Sequence, residues 1–206
     1  MYCILIAGVP ASGKTTFAAW LSQETGIPYL SKDEIKEILF DTLGFRCREE
    51  KVALGKAAEE ILYHFAKSQL CVGQPFILEN NFDDASQKDI VAILEESNCF
   101  PITVLFDGDI ETIYQRFIMR DQSPERHRGH VVNTCYPEKG TPAEYIPMGL
   151  ENFRKGMENR GFSRFHPGGK ILRIDCTDFS EVDYYSILHD LNAIIESDNA
   201  KRSEII

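Results

Sequence analysis

The chain has 206 residues, a length that fits a single domain spanning 1–206, and 43% of them are apolar, enough for a sizeable core. With 22 Lys and Arg against 32 Asp and Glu the formal net charge is −10, so long nucleic acids and anionic membranes are poor partners on average. Cys3, Cys47, Cys71, Cys99, Cys135 and Cys176 are dispersed with no Cys-x-x-Cys pair, which argues against a disulfide scaffold or a cysteine metal site, and no apolar run approaches the roughly 20 residues of a membrane span. The reading is a protein of the reducing cytoplasm.

Short apolar runs alternate with helical periodicity along the chain. Tyr2–Ala7 is continuously apolar, as in a strand covered on both faces, and Thr15–Thr25 follows as a helix with Gly26 at its C-terminus. Pro28–Ser31 reads as a strand, Asp33–Asp41 as a helix and Arg48–Cys71 as a longer helix. Pro75–Glu79 and Ile102–Phe106 are strands, each followed by a helix, at Ser86–Ser97 and about Asp109–Arg120. Lys170–Asp175 is the last strand and Val182–Glu196 the closing helix, with residues from Ser197 onward given no element. Such alternation predicts βαβ units and a parallel sheet with helices on both faces. One stretch breaks the rhythm: Gln122 to Pro147 holds four prolines, several basic residues and no period. Long irregular segments inside compact domains are commonly functional.

Gly8-Val9-Pro10-Ala11-Ser12-Gly13-Lys14-Thr15 matches G-x-x-x-x-G-K-[ST] between the first strand and the first helix. Its glycines allow backbone N–H groups to surround a phosphate chain, and the helix that follows, with Thr16 in its first turn, adds its unpaired N–H groups and positive dipole end. Lys14 is placed to reach the β- and γ-phosphates, and the Thr15 hydroxyl to ligate Mg²⁺. This is the pattern of a nucleoside-triphosphate site. No Asn-Lys-x-Asp base-reading motif occurs, which disfavours a Ras-like GTPase.

Asp33 lies at a strand-to-helix junction on the carboxyl edge of the sheet, where it either caps its helix or orients an attacking hydroxyl. Lys36, one turn on, projects the same way and suits an anionic group of the acceptor. The polar tail Glu79-Asn80-Asn81 of the third strand points into the same crevice. Arg116 and Arg120 share one helix face, and Ser123–His130 is basic and histidine-rich, fit for a lid at about 120–147 that closes over nucleotide and acceptor. Within it Arg126 and Arg128 are alternative phosphate clamps, and His127, His130 and Cys135 supply only three candidates for a zinc ion. Tyr136 and Tyr145 either pack or line a base or acceptor pocket.

Together the loop, the Lys-Asp-x-x-Lys segment and the basic lid resemble the small P-loop kinases, an AAA-type ATP-binding group that includes the polynucleotide kinase domain, zeta-type toxins, chloramphenicol phosphotransferase and, more distantly, adenylate kinase. The resemblance implies a three-layer α/β/α P-loop NTPase fold with a five-stranded parallel sheet of order 2-3-1-4-5 and a lid insertion. It implies ATP with Mg²⁺, Asp33 as the residue that activates the acceptor hydroxyl, and Lys36 as a basic acceptor-binding position. Glu79 takes the place of a Walker B carboxylate, for Mg²⁺ or for the acceptor, with Asn81 beside it. Arg116 corresponds to an arginine near the adenine, and Arg120 to one that reaches the transferring phosphates. The expected activity is transfer of a γ-phosphoryl group to a hydroxyl of a small molecule such as a nucleoside, sugar nucleotide or other metabolite. A 5′-hydroxyl polynucleotide kinase and a nucleotide-dependent switch without an acceptor are the alternatives.

Overall fold

The computed structural model describes residues 1–142 and 144–203. Strands β1 (Tyr2–Gly8), β2 (Tyr29–Ser31), β3 (Phe76–Glu79), β4 (Phe100–Asp107) and β5 (Lys170–Asp175) form one sheet of order β2-β3-β1-β4-β5. Every pairing is parallel. Helices α1 (Lys14–Thr25), α2 (Lys32–Leu43), α3 (Arg48–Val72), α4 (Asp84–Glu96), α5 (Ile110–Gln122), α6 (Arg128–Val131), α7 (Leu150–Arg160) and α8 (Tyr184–Ser203) complete the chain.

The continuous apolar runs have a direct cause: each central strand is buried on both faces. Cys3, Leu5 and Ala7 of β1 face a core shared with Leu62 and Ala66 of α3 and Ile90 and Leu94 of α4. Ile4 and Ile6 face the opposite core, with Phe17 and Leu21 of α1, Ile113 of α5, Phe153 of α7 and Leu191 of α8. This is the expected three-layer α/β/α sandwich.

Three parts of the chain differ from expectation. Helix α7 and the 3₁₀ turn Phe162–Arg164 lie where no element was expected. The closing helix runs on to Ser203, which corrects the expectation of irregular chain from Ser197; residues 204–206 lie outside the described residues. The irregular segment after α5 is anchored by its own small core, in which Val132 and Tyr136 pack with Phe40 and Phe45. Gly129 is part of that anchor, since a Cβ there would stand 2.4 Å from the Phe40 ring.

Candidate active site

A crevice of about 930 Å³ opens among the loop after β1, the start of α2, the end of β3, and helices α5 and α7. That is within the roughly 300–1,000 Å³ of small-molecule sites, and it sits on the sheet edge where parallel α/β folds bind ligands.

Its floor is the phosphate-binding loop. Gly8 leaves β1 at φ 127° and so close to β4 that a Cβ would stand 1.9 Å from the Phe106 carbonyl oxygen; no other residue passes there. The Gly8 N–H donates to the Asn81 carbonyl (3.2 Å) and the Val9 N–H to the Phe106 carbonyl (3.3 Å), which ties the loop to both neighbouring strands. Gly8 and Val9 therefore stand behind the lining, and Pro10, Ala11, Ser12, Gly13, Lys14, Thr15 and Thr16 form it. Gly13 begins α1 without a side-chain cap, which leaves the first-turn N–H groups for a ligand. Lys14 is buried, its Nζ donating to the Val9 carbonyl (2.5 Å) and the Ser12 Oγ (3.3 Å). Burial lowers its pKa to about 8, against the opposing pull of Glu79 and Asp33.

Register builds the next part. Ser31 of β2 pairs with Glu79 of β3, and the Ser31 hydroxyl donates to Glu79 Oε2 at 2.6 Å. Burial raises the Glu79 pKa, while Lys14 and hydrogen bonds from Ser31 and Thr15 hold it back. A carboxylate and a hydroxyl beside the phosphate loop are hard oxygen donors, so Thr15 and Glu79 fit Mg²⁺. Asn81 borders the same space. The role of Ser31 was hidden in the sequence, because a serine before a helix reads as a cap.

Asp33 does not cap α2. It is the second residue of that helix, and its Oδ1 accepts from Lys36 Nζ at 3.4 Å. Its side chain is 46% exposed, open to the crevice while protein walls it elsewhere. Although the walls desolvate it, Lys36 and Arg126 outweigh that effect and hold the carboxyl well below its ordinary range.

The histidine-rich segment docks on α2, the helix that carries Asp33. Glu37 and Asp41, one and two turns beyond Asp33, receive His130 Nε2 (2.9 Å) and His127 Nε2 (3.0 Å). The Gly129 N–H donates to His127 Nδ1, which leaves Nε2 as the ring's N–H toward Asp41. Both histidines are thereby committed to carboxylates instead of to a zinc ion. Burial, joined by the charges of Lys36 and Arg126, pushes the His130 pKa down to about 3 despite Asp33, so its ring is neutral at physiological pH. Tyr136 stacks near Phe45 and donates to Asp41 (2.8 Å), which makes it packing rather than pocket lining.

The arginines separate. Arg116 donates to the Cys176 and Thr177 carbonyls and lies over Phe179, its guanidinium carbon 3.7 Å from the ring centroid. Arg120 borders the crevice near enough to Lys14 for their charges to oppose, and donates to Asp121 at 3.2 Å. Arg126 borders it beside Asp33. Arg128, expected as an alternative phosphate clamp, does not: its Nε and Nη2 grip both oxygens of Glu138 at 2.8 and 2.9 Å. Unexpected members of the lining come from α7, where Asn152, Phe153, Gly156, Met157 and Arg160 form a wall.

Residues 3–134, which carry the phosphate loop, Asp33, Glu79 and the arginines, match the family described as AAA domain. The chain belongs to that family. Among solved structures it is similar to a candidate kinase from Chloroflexus aurantiacus J-10-fl, with 27% identity, a TM-score of 0.77, and coverage of 93% of this chain and 97% of that one. A shikimate kinase from Bacteroides thetaiotaomicron (14% identity, TM-score 0.57, 95% and 98% covered) and a gluconokinase from Sinorhizobium meliloti 1021 (12%, 0.54, 98% and 97%) share the fold. No curated protein matches. The small P-loop kinase-like architecture expected from the loop and lid is thus borne out in this AAA domain chain.

Proposed function

We propose that the chain is an ATP- and Mg²⁺-dependent kinase that phosphorylates a hydroxyl of a small molecule. The observation that carries this reading is that one crevice is bordered by Lys14 of the phosphate loop and by Asp33 with Lys36 beside it. The phosphate loop alone serves every class of P-loop protein; a carboxylate facing it across the acceptor side is what a hydroxyl needs. Further support comes from the similar structures, named as a candidate kinase, a shikimate kinase and a gluconokinase.

In the proposed reaction the acceptor oxygen attacks the γ-phosphorus, its proton passes toward Asp33, and the bond from the γ-phosphorus to the bridging oxygen breaks with its electron pair leaving on ADP. A carboxylate held as acidic as Asp33 serves mainly by accepting the hydroxyl's hydrogen bond and fixing its line of approach, which suits a loose transition state in which the proton leaves late. Lys14 and Arg120 face the charge that develops on the transferring oxygens, where an arginine is worth about 10³–10⁵ in rate. Bound through Thr15 and Glu79, Mg²⁺ would neutralise phosphate charge. Arg116 and Phe179 suit the base. Residues 1–206 act as one domain of the reducing cytoplasm, with about 120–147 as its lid. No helix among the described residues is long and apolar enough to cross a membrane.

The crevice volume and the net charge of −10 favour a small acceptor over a polynucleotide end. The test is ADP release with Mg²⁺ across nucleosides, sugar nucleotides, hydroxylated metabolites and 5′-hydroxyl oligonucleotides, for wild type and Asp33→Asn. Acceptor-dependent release lost in the variant supports the reading. Slow hydrolysis that is identical in both proteins and indifferent to every acceptor supports the nucleotide switch instead.

A further inference from the structure

Arg126 is a poorly satisfied charged group of the crevice. Its side chain is 15% exposed, yet its nearest carboxylates stand off, Asp121 Oδ1 at 3.5 Å from Nε and Glu37 Oε1 at 4.0 Å from Nη1. Charge-assisted hydrogen bonds run at about 2.7–2.9 Å, so neither contact is one. The Nε atom itself is buried with no hydrogen-bond partner among the described residues.

Both carboxylates are already engaged. Asp121 Oδ1 takes Arg120 Nε and Nη2 at 3.3 and 3.2 Å, and Glu37 Oε1 takes His130 at 2.9 Å. A guanidinium has five N–H donors in a planar fork, and a buried donor without a partner costs stability. The fork is matched by an oxyanion that binds two parallel N–H groups at once. Arg126 borders the crevice close enough to Asp33 to lower its pKa, so an oxyanion received there belongs to the acceptor. Lys36, 3.4 Å from Asp33, adds a second cation on the same side.

We infer that the acceptor is an anionic alcohol whose carboxylate or phosphate group is held by Arg126, and that Arg126 selects it over a neutral alcohol of the same skeleton. The inference rests on the kinase reading above and narrows it to a substrate class.

Two measurements test it. In the first, inorganic sulfate is titrated into protein saturated with Mg²⁺ and a non-hydrolysable ATP analogue, which occupies the γ-phosphate position and leaves only the acceptor side. A sulfate site weakened at least tenfold by Arg126→Gln, with Arg126→Lys intermediate and both variants matching wild type in analogue affinity and thermal unfolding, supports the inference. Absence of sulfate binding, or equal binding in wild type and Arg126→Gln, overturns it. In the second, ADP release is compared for matched pairs, a polyol against its aldonate and a sugar against its sugar phosphate, so that carboxylate and phosphate are read separately. A tenfold or greater preference in kcat/KM for an anionic member, lost in Arg126→Gln, supports the inference; equal or better use of the neutral members overturns it while the kinase reading stands. Failure of the analogue to bind appears before any sulfate is added, and removes the kinase reading itself.

Discussion

Ser31 gives its hydroxyl to Glu79, 2.6 Å away, and leaves α2 without a side-chain cap. A serine cap is worth about 1 kcal/mol, so the forgone cap marks the orientation of Glu79 as the use of this residue. Ser31→Ala strips a buried carboxylate of a donor, at a cost of about 1–3 kcal/mol. The expected outcome is a lower melting temperature together with a several-fold rise in the Mg²⁺ concentration needed for nucleotide binding, and partial rescue of both by Ser31→Thr. Thermal unfolding and a Mg²⁺ titration of nucleotide affinity measure the two effects; a change in stability alone would leave Ser31 with a merely structural role.

Lys14 supplies a pH test. Its pKa falls from 10.5 to about 8 in the free protein, so between these values the unfolded chain binds more protons than the folded one, and this residue makes folding stability rise with pH across that window. Nucleotide affinity moves the opposite way, because phosphates need the ammonium. Binding at a pH inside the window should therefore take up protons. Calorimetry in two buffers of different ionisation enthalpy reads that uptake, and Lys14→Met should abolish it. Uptake undiminished in the variant would place the proton on another group.

Asp33→Asn keeps the size of the side chain and removes its charge. Nucleotide affinity should stay within a factor of a few while phosphoryl transfer falls by about 10²–10⁴, the usual worth of a positioned acid–base group. Loss of the carboxylate also frees Lys36, so the acceptor KM is the second quantity to follow. Full activity in the variant would leave Asp33 with only its ion pair to Lys36.

The central sheet was legible because β1, β3 and β4 are buried on both faces, which writes them as unbroken apolar runs, and because the phosphate loop requires its glycines where β1 ends. The expected strand limits fall within two residues of those observed, and those of β5, an exposed edge strand, coincide with them. What was not legible depends on contacts across the chain. Arg128 is held by Glu138, and the histidines dock on carboxylates about ninety positions away, so no local spacing announces either arrangement. Helix α7 carried a weak signal in Leu150, Phe153 and Met157 at helical spacing, masked by Gly156 and by charged neighbours, and it supplies a whole wall of the crevice.

Phe179 is the remaining unexpected member of the site. It is 48% exposed, lies beneath the Arg116 guanidinium, and stands so near the phosphate loop that a Cβ on Gly13 would be 3.3 Å from its ring. Arg116 in turn holds the Cys176 and Thr177 carbonyls, so a single side chain fixes both the loop and the ring. A flat cation stacked on an aromatic ring beside a triphosphate site suits a nucleobase. Stacking of a base on an aromatic side chain is worth about 1–3 kcal/mol, so Phe179→Ala should weaken ATP binding by roughly 5- to 150-fold. Inorganic triphosphate separates this role from a collapse of the loop: its affinity should be unchanged in Phe179→Ala and weakened in Lys14→Met. Equal weakening of ATP and triphosphate would mean that Phe179 supports the phosphate loop instead of the base.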